Sequence, residues 1–422
     1  MMNEIIKNMP DMLFGQELMN AMSIIPTYNK SVQENGSTAE RLMKLSDLYN
    51  VYVPSQMSAE IYNKLYLGIV RSMQKKGTKL AVQQFNSTYR TMQEMKNKIG
   101  TQCYEGIIGG SDSFTIIGAS GIGKSSAISR ALNIIEANRI IEIKQPYTKI
   151  LPCLTVQCPF DSSVKGLLIE ILRKVDEQLG TIYSSSIKRA TTDILIGSVS
   201  QVCLNHIGLL VVDEIQNVVN SKNGKNLIGS LTQLINNSGI SICMVGTPES
   251  EIFFEQAMQL ARRSVGLKYS ALPYDVDFYN VCKQLFSYQY VKNTTELTDG
   301  IVEWLYQHSS GVISVVVSLI HDAQEISIMN GREVLDINAL EEAYQQRLSM
   351  LHEYIKPTIK KKKQCGKIKK TKKEKLPDSF PITNINIKDY EHGLIQNIVS
   401  DAKGSDLDIV ELLSHYLTVE VV

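Results

Sequence analysis

The chain has 422 residues, 43% of them apolar and 7% aromatic, with a formal charge of +1 at neutral pH, which is enough for two or three domains with packed cores. The near-neutral balance excludes a global charge argument for nucleic-acid binding, so any basic surface has to be local. Purely apolar runs are short pieces such as LLVV at 209–212, far below the roughly eighteen residues a membrane helix needs, and no membrane association is expected.

In chain order, the opening MMNEIIKNMPDMLFG has no basic segment leading into an apolar stretch, so a secretory signal is not expected. Residues 1–100 read as a mostly helical N-terminal extension. The stretches 58–77 and 79–100 carry apolar residues at helical spacing and each ends in glycine, after a short extended entry, NVYVPSQM, at 50–57. From 101 to 272 strands and helices alternate, which predicts an α/β core with a parallel sheet and crossover helices. SFTIIG (113–118), LPCLTVQCP (151–159), LLVVDE (209–214) and SICMVGTPE (241–249) read as strands. KSSAISRALNIIEAN (124–138), SSVKGLLIEILRKVDEQLG (162–180) and NLIGSLTQLINNSG (226–239) read as the helices among them.

Strand signals stop beyond Pro273, and residues 273–355 read as an α-helical lid. Residues 356–375 hold eleven lysines and one glutamate, a net of +10, and read as a solvated linker. Residues 376–422 carry eight acids and two lysines, a net of −6, and form a flexible acidic tail with at least one short amphipathic helix. With the total at +1, residues 1–355 are left at about −3. Seven cysteines (Cys103, Cys153, Cys158, Cys203, Cys243, Cys282 and Cys365) are scattered without a CxxC, and the histidines do not cluster. Free thiols in a reducing cytoplasm are expected, and zinc is not.

The chemistry concentrates in two places. GASGIGKSS comprises Gly118, Ala119, Ser120, Gly121, Ile122, Gly123, Lys124, Ser125 and Ser126, and fits GxxxxGK[ST] between a predicted strand and a predicted helix. Such a loop lets backbone N–H groups approach phosphate oxygens, with the helix N-terminus adding a favourable dipole. Lys124 then reaches the outer phosphates and the Ser125 hydroxyl ligates Mg²⁺, so ATP and Mg²⁺ are the expected ligands. GLLVVDEIQN (208–217) is the second place: a buried strand delivers Asp213 to its end to hold Mg²⁺ through water, and Glu214 can polarise an attacking water. The acid pair disfavours GTPases and nucleotide kinases. Thr247, at the end of the next strand, can sense a γ-phosphate or be an ordinary turn threonine. Arg262 and Arg263 can point across a subunit boundary at a neighbour's nucleotide, or be a solvated surface pair.

Together GASGIGKSS, GLLVVDEIQN, MVGTPESEIFFEQAMQLARRSVG and HSSGVISVVVSLIHDAQ, spanning roughly 110–345, resemble the AAA+ ATPases and, more narrowly, the TnsC-type transposition regulators, relatives of TniB and of the phage Mu B protein. The resemblance implies the AAA+ P-loop fold and a bacterial, nucleoid-associated, ATP-dependent homo-oligomer, a ring or a filament, on duplex DNA. It implies a link between a target selector, either a DNA-binding protein or an RNA-guided complex, and transposase subunits, which the acidic tail would dock. It casts Lys124 and Ser125 as nucleotide and Mg²⁺ ligands, Asp213 and Glu214 as the hydrolytic acids, Thr247 as the sensor and Arg262 or Arg263 as the finger. Two positions depart from the pattern: Ser314 stands where many AAA+ lids carry a sensor arginine, and Asn217 where relatives often have histidine. Candidates for non-specific backbone contact with DNA are Lys165, Lys188, Arg189, Lys222 and Lys225, each of which can equally be a solvated surface charge. A replication initiator or helicase loader of the Orc/Cdc6 kind is the alternative within the class, and a nucleotide-switched signalling ATPase without a DNA role is the alternative outside it.

Overall fold

A computed structural model describes residue 6 and residues 8–76, 113–144, 147–186, 190–218, 224–238, 240–251 and 265–348. The centre is a six-stranded sheet of order β2-β3-β4-β5-β1-β6. Its strands are β1 (Phe114–Gly118), β2 (Ile141–Lys144), β3 (Tyr147–Gln157), β4 (Ile207–Asp213), β5 (Ser241–Gly246) and β6 (Val265–Tyr269). All neighbours run parallel except β2, which folds back antiparallel on β3. Strands buried on both faces need apolar side chains on both, and the side chains alternate accordingly. Leu210 and Val212 of β4 and Ile242 and Met244 of β5 enter one core, while Leu209, Val211, Cys243 and Val245 enter the other.

The first core is closed by α7 (Val164–Leu179), α9 (Thr192–His206) and α10 (Gly224–Ser238), with the short α8 (Tyr183–Ser186) alongside α7. The second is closed by α6 (Lys124–Ile134) together with two helices of the N-terminal segment, α1 (Gly15–Met22) and α5 (Gln56–Lys76). A third core is formed by the lid helices α11 (Val276–Phe286), α12 (Asp299–Ser309), α13 (Ile313–Met329) and α14 (Ile337–Arg347), with Leu45 and Leu48 of the N-terminal segment entering it. Three of the four lid helices begin where a side chain caps them: Asp275 accepts from Asp277 and Phe278 N–H, Thr298 from Ile301, and Asp336 from Ala339. Among the described residues no single helix is long and apolar enough to cross a membrane.

The four strands and three helices expected of the core are present, with bounds shifted by a few residues. Of the elements that go beyond that expectation, three have a clear physical reason. The α9 helix is packed against α7, α10 and β3, so its apolar residues do not line up as one stripe and the helical period is weak. The edge strand β6, VGLKY, pairs with β1 alone and leaves Gly266 and Lys268 exposed, which makes it look like a loop. The four-residue β2 exists as a hairpin arm of β3. The helix expected at 79–100, the lysine run and the acidic tail lie outside the described residues.

The N-terminal segment joins the core to the lid. On the core, Arg130 of α6 donates to the carbonyls of Met22 (3.0 Å) and Ala21 (3.1 Å) at the end of α1, and Tyr269 of β6 donates to Glu60 of α5 (2.9 Å). On the lid side lie α2 (Lys30–Asn35), α3 (Thr38–Lys44) and α4 (Asp47–Asn50). Here Tyr28 donates to the Gln289 carbonyl (2.5 Å) and Gln33 to the Val291 carbonyl (3.1 Å). The strongest tie is Arg41, 2% exposed, whose guanidinium makes two parallel 2.6 Å bonds to the Glu333 carboxylate, 14% exposed, and a third of 3.0 Å to the Tyr290 carbonyl. The pairing holds the Glu333 carboxyl below its usual range and raises the guanidinium.

Removing the acid leaves a buried cation without its counter-charge. We expect Glu333→Ala to cost about 3–5 kcal/mol in urea unfolding. The double replacement Arg41→Met with Glu333→Gln should recover much of that loss.

Candidate nucleotide site

The site is assembled at the C-terminal ends of β1, β4 and β5. The chain leaves β1 at Gly118, turns through Gly121 (φ +79°) and Gly123 (φ +95°), and enters α6 at Lys124. Both turning positions require the left-handed region that glycine enters without steric cost. The Lys124 amine lies under the loop, donating to the carbonyls of Gly118 (2.7 Å) and Ala119 (2.8 Å). Burial pushes this amine below its ordinary value, while Asp213, Glu214 and Glu249 pull the other way.

At the second residue of the helix, the exposed Ser125 hydroxyl donates to Asp213 Oδ2 at 3.3 Å, so the loop and the acid pair are in direct contact. The position of Asp213 follows from sheet register: it is the last residue of β4, opposite Gln157 of β3, and its carbonyl accepts from Cys158 N–H at 2.8 Å. Glu214 is exposed and left-handed at φ +58°, which turns the chain out of the strand into a single 3₁₀ turn, Ile215–Val218. That turn is tied down by Asn217, whose amide donates to the Cys158 carbonyl (2.9 Å) and whose own carbonyl accepts from Ser162 (2.8 Å). Asn217, the departure from the histidine pattern, is thus a brace between the ends of β3 and β4. Burial, with Asp161 and Glu214 nearby, pushes the Cys158 thiol up to about 11.

Thr247 follows β5 and donates its hydroxyl to Glu249, whose carboxyl is held below its usual range by that bond, by its own backbone N–H and by Lys124. Glu249 is a third acid around Lys124 that sequence reasoning missed, although its place two residues after Thr247 was visible. A second missed feature is the lid contact. Ser314 N–H, in the first turn of α13, donates to the Gly121 carbonyl at 3.1 Å. A Cβ on Gly121 would stand 2.2 Å from Ser314 Oγ. Ser314 therefore touches the loop itself, where an arginine would reach past it. At the lid junction Leu272 N–H donates to the Gly311 carbonyl at 3.1 Å, and a Cβ on Gly311 (φ +77°) would lie 1.9 Å from the Leu272 carbonyl oxygen.

Residues 118–126, Asp213, Glu214 and Thr247 are therefore gathered at one end of the sheet, a hydroxyl and a carboxylate supplying the hard oxygens that Mg²⁺ takes. Two of the other candidates fall on described backbone. Lys165 is exposed in the first turn of α7, and Lys225 is the second residue of α10. Lys188, Arg189, Lys222, Arg262 and Arg263 lie outside the described residues.

Residues 109–252 match the family model of an AAA domain. No curated protein matches the chain. Among solved structures the chain is similar to the Aeropyrum pernix ORC1 protein in complex with DNA, at 14% identity and a TM-score of 0.41 over 62% of this chain and 63% of that one. It is similar to the Aeropyrum pernix ORC2 protein in its ADPNP–ADP complexes, at 16% identity and a TM-score of 0.39 over 64% of this chain and 68% of that one. Domain III of the Thermotoga maritima replication initiation protein DnaA matches at 15% identity and a TM-score of 0.33, over 64% of this chain and 92% of that one. The chain spans 63% of the length of the ORC1 protein it matches. The mostly parallel six-stranded sheet flanked by helices, with its loop after β1, is the AAA+ P-loop fold.

The junction at Gly311 makes a sharp expectation, because a backbone carbonyl cannot swing aside as a side chain can. Gly311→Ala should destabilise by about 3 kcal/mol or more and weaken binding of a fluorescent ATP analogue. Gly180→Ala, at φ +70° with nothing within 4 Å of its Cβ, should cost only about 1–2 kcal/mol and leave binding unchanged.

Proposed function

We propose that this protein is an ATP-dependent, DNA-binding AAA+ regulator that assembles on duplex DNA and links target-site selection to transposase recruitment. The observation that carries the nucleotide half is the direct contact of Ser125 with Asp213, with Glu214 next in the chain. In this reading Lys124 and the loop N–H groups hold the phosphates, and Glu214 accepts a proton from the attacking water. Ser125 and Asp213 would hold Mg²⁺, which when bound neutralises phosphate charge. Thr247 reports on the γ-phosphate, and Arg262 or Arg263 of a neighbouring copy completes the site. Hydrolysis then acts as a timer on assembly.

The transposition half is supported by the resemblance of GASGIGKSS, GLLVVDEIQN, MVGTPESEIFFEQAMQLARRSVG and HSSGVISVVVSLIHDAQ to TnsC-type regulators. DNA would be held through backbone phosphates by basic groups such as Lys165, Lys188, Arg189, Lys222 and Lys225, which makes binding salt-dependent and independent of sequence. Transposase subunits would dock on residues 376–422, tethered by the lysine run, and a target selector would act on the assembled oligomer. In this reading the protein works in the bacterial cytoplasm, on the nucleoid.

Electron microscopy with a non-hydrolysable ATP analogue, with and without duplex DNA, tests this directly. Rings or filaments should require both. Lys124→Ala should abolish assembly, and Glu214→Gln should persist on DNA with ATP while its turnover falls by about 10²-fold or more. A monomer, or an oligomer indifferent to DNA, overturns the transposition reading; assembly confined to one DNA sequence favours a replication initiator.

A further inference from the structure

Gln216 lies two residues beyond the acid that the proposed reaction uses. Its Nε2 donates to Glu214 Oε2. Its Oε1 is shut off from solvent and has no hydrogen-bond partner among the described residues. On the far side the end of β5 closes against this turn: a Cβ on Gly246 would stand 2.6 Å from Ile215 Cγ2, 2.9 Å from Ser250 Oγ and 3.2 Å from Gln216 Oε1. The glycine leaves the space the amide fills. The side chain therefore lies between the Glu214 carboxylate and the strand end that carries Thr247.

A primary amide in that place is a poor structural choice. It has two donor hydrogens and one acceptor oxygen, and burying the oxygen without a donor is costly. A methionine of the same length would fill the space without that cost. Orphaned buried polar groups in native structures call for a reason, and here the donor end supplies it. Glu214 is exposed and follows a left-handed backbone, so nothing in its own turn fixes the carboxylate except this amide. Holding one carboxylate oxygen leaves the other to receive a proton, and a general base works only within hydrogen-bond reach of that proton. The surrounding turn is rigid, with Ile215 buried and Asn217 tied to Cys158 and Ser162.

We infer that Gln216 is a positioning residue that holds the Glu214 carboxylate in its working orientation and places it in contact with the end of β5. The inference rests on the hydrolytic reading above and adds a residue to it.

The test is steady-state ATP hydrolysis by the full chain, with and without duplex DNA, together with titration of a fluorescent ATP analogue and thermal melting. Gln216→Met should lower kcat by at least about tenfold while leaving KM and analogue affinity within about twofold, with a melting temperature equal to or above that of the wild type. Gln216→Glu keeps the shape but places an acceptor against Glu214, and should be at least as impaired. In a Glu214→Gln background, Gln216→Met should have no further effect. A Gln216→Met protein whose kcat stays within twofold of the wild type overturns the inference, as does one whose turnover, analogue affinity and melting temperature fall together. A wild-type chain that hydrolyses no ATP under either condition overturns the hydrolytic reading and this inference with it.

Discussion

The register of the parallel sheet sets the distance across which the chemistry has to work. The strand β5 lies between β1 and β4, so the phosphate-type loop and the acid pair leave the sheet about 10 Å apart, two inter-strand spacings. Neither strand end can close that gap. It is closed by α6, which starts at the loop and carries Ser125 into contact with Asp213. With β5 in the middle, its own terminus falls between the two groups, which is why Thr247 and Glu249 share the neighbourhood of Lys124. One slipped register on β4 would exchange the faces of Val211 and Val212 and take Asp213 away from the loop.

The lid and the N-terminal segment are bound into the same arrangement. α13 rests on the loop through the Ser314–Gly121 hydrogen bond, and its approach is possible because Gly311 lets the backbone pass the Leu272 carbonyl. The N-terminal segment grips both bodies, packing α1 and α5 on the sheet and pairing Arg41 with Glu333 on the lid. Arg130 belongs to the helix that begins at the phosphate-type loop, yet its guanidinium holds the end of α1. A shift of α6 is therefore felt by a segment that also holds the lid, a mechanical link that the separate regions read in the sequence did not contain.

How much of this could be read beforehand divides by range. The loop and Asp213–Glu214 were legible because their meaning is local: a strand, a glycine turn and a helix are contiguous, and an apolar run ending in two acids advertises a buried strand. The α9 helix and the β6 strand were not, since burial on several sides erases the helical stripe and an exposed edge strand has the composition of a loop. Arg41 reads as one more charge on a short surface helix, and only the tertiary fold shows that it is buried against Glu333. Ser314 was recognised as a missing arginine, but its contact with Gly121 joins residues far apart in the chain. Gln216 looks like a loop residue until its orphaned oxygen is seen.

Three locally unfavourable features meet at one end of the sheet. A lysine is buried, a glutamate occupies the left-handed region, and an amide oxygen is hidden without a donor, all beside the ends of β1, β4 and β5. In the body of the same sheet apolar side chains alternate between two closed cores. A fold free to optimise stability alone would replace each of these three groups with something cheaper. Their juxtaposition beside one loop suits preorganisation: charges and hydrogen-bond donors are fixed before a ligand arrives, and the packed sheet behind them supplies the rigidity to keep them there.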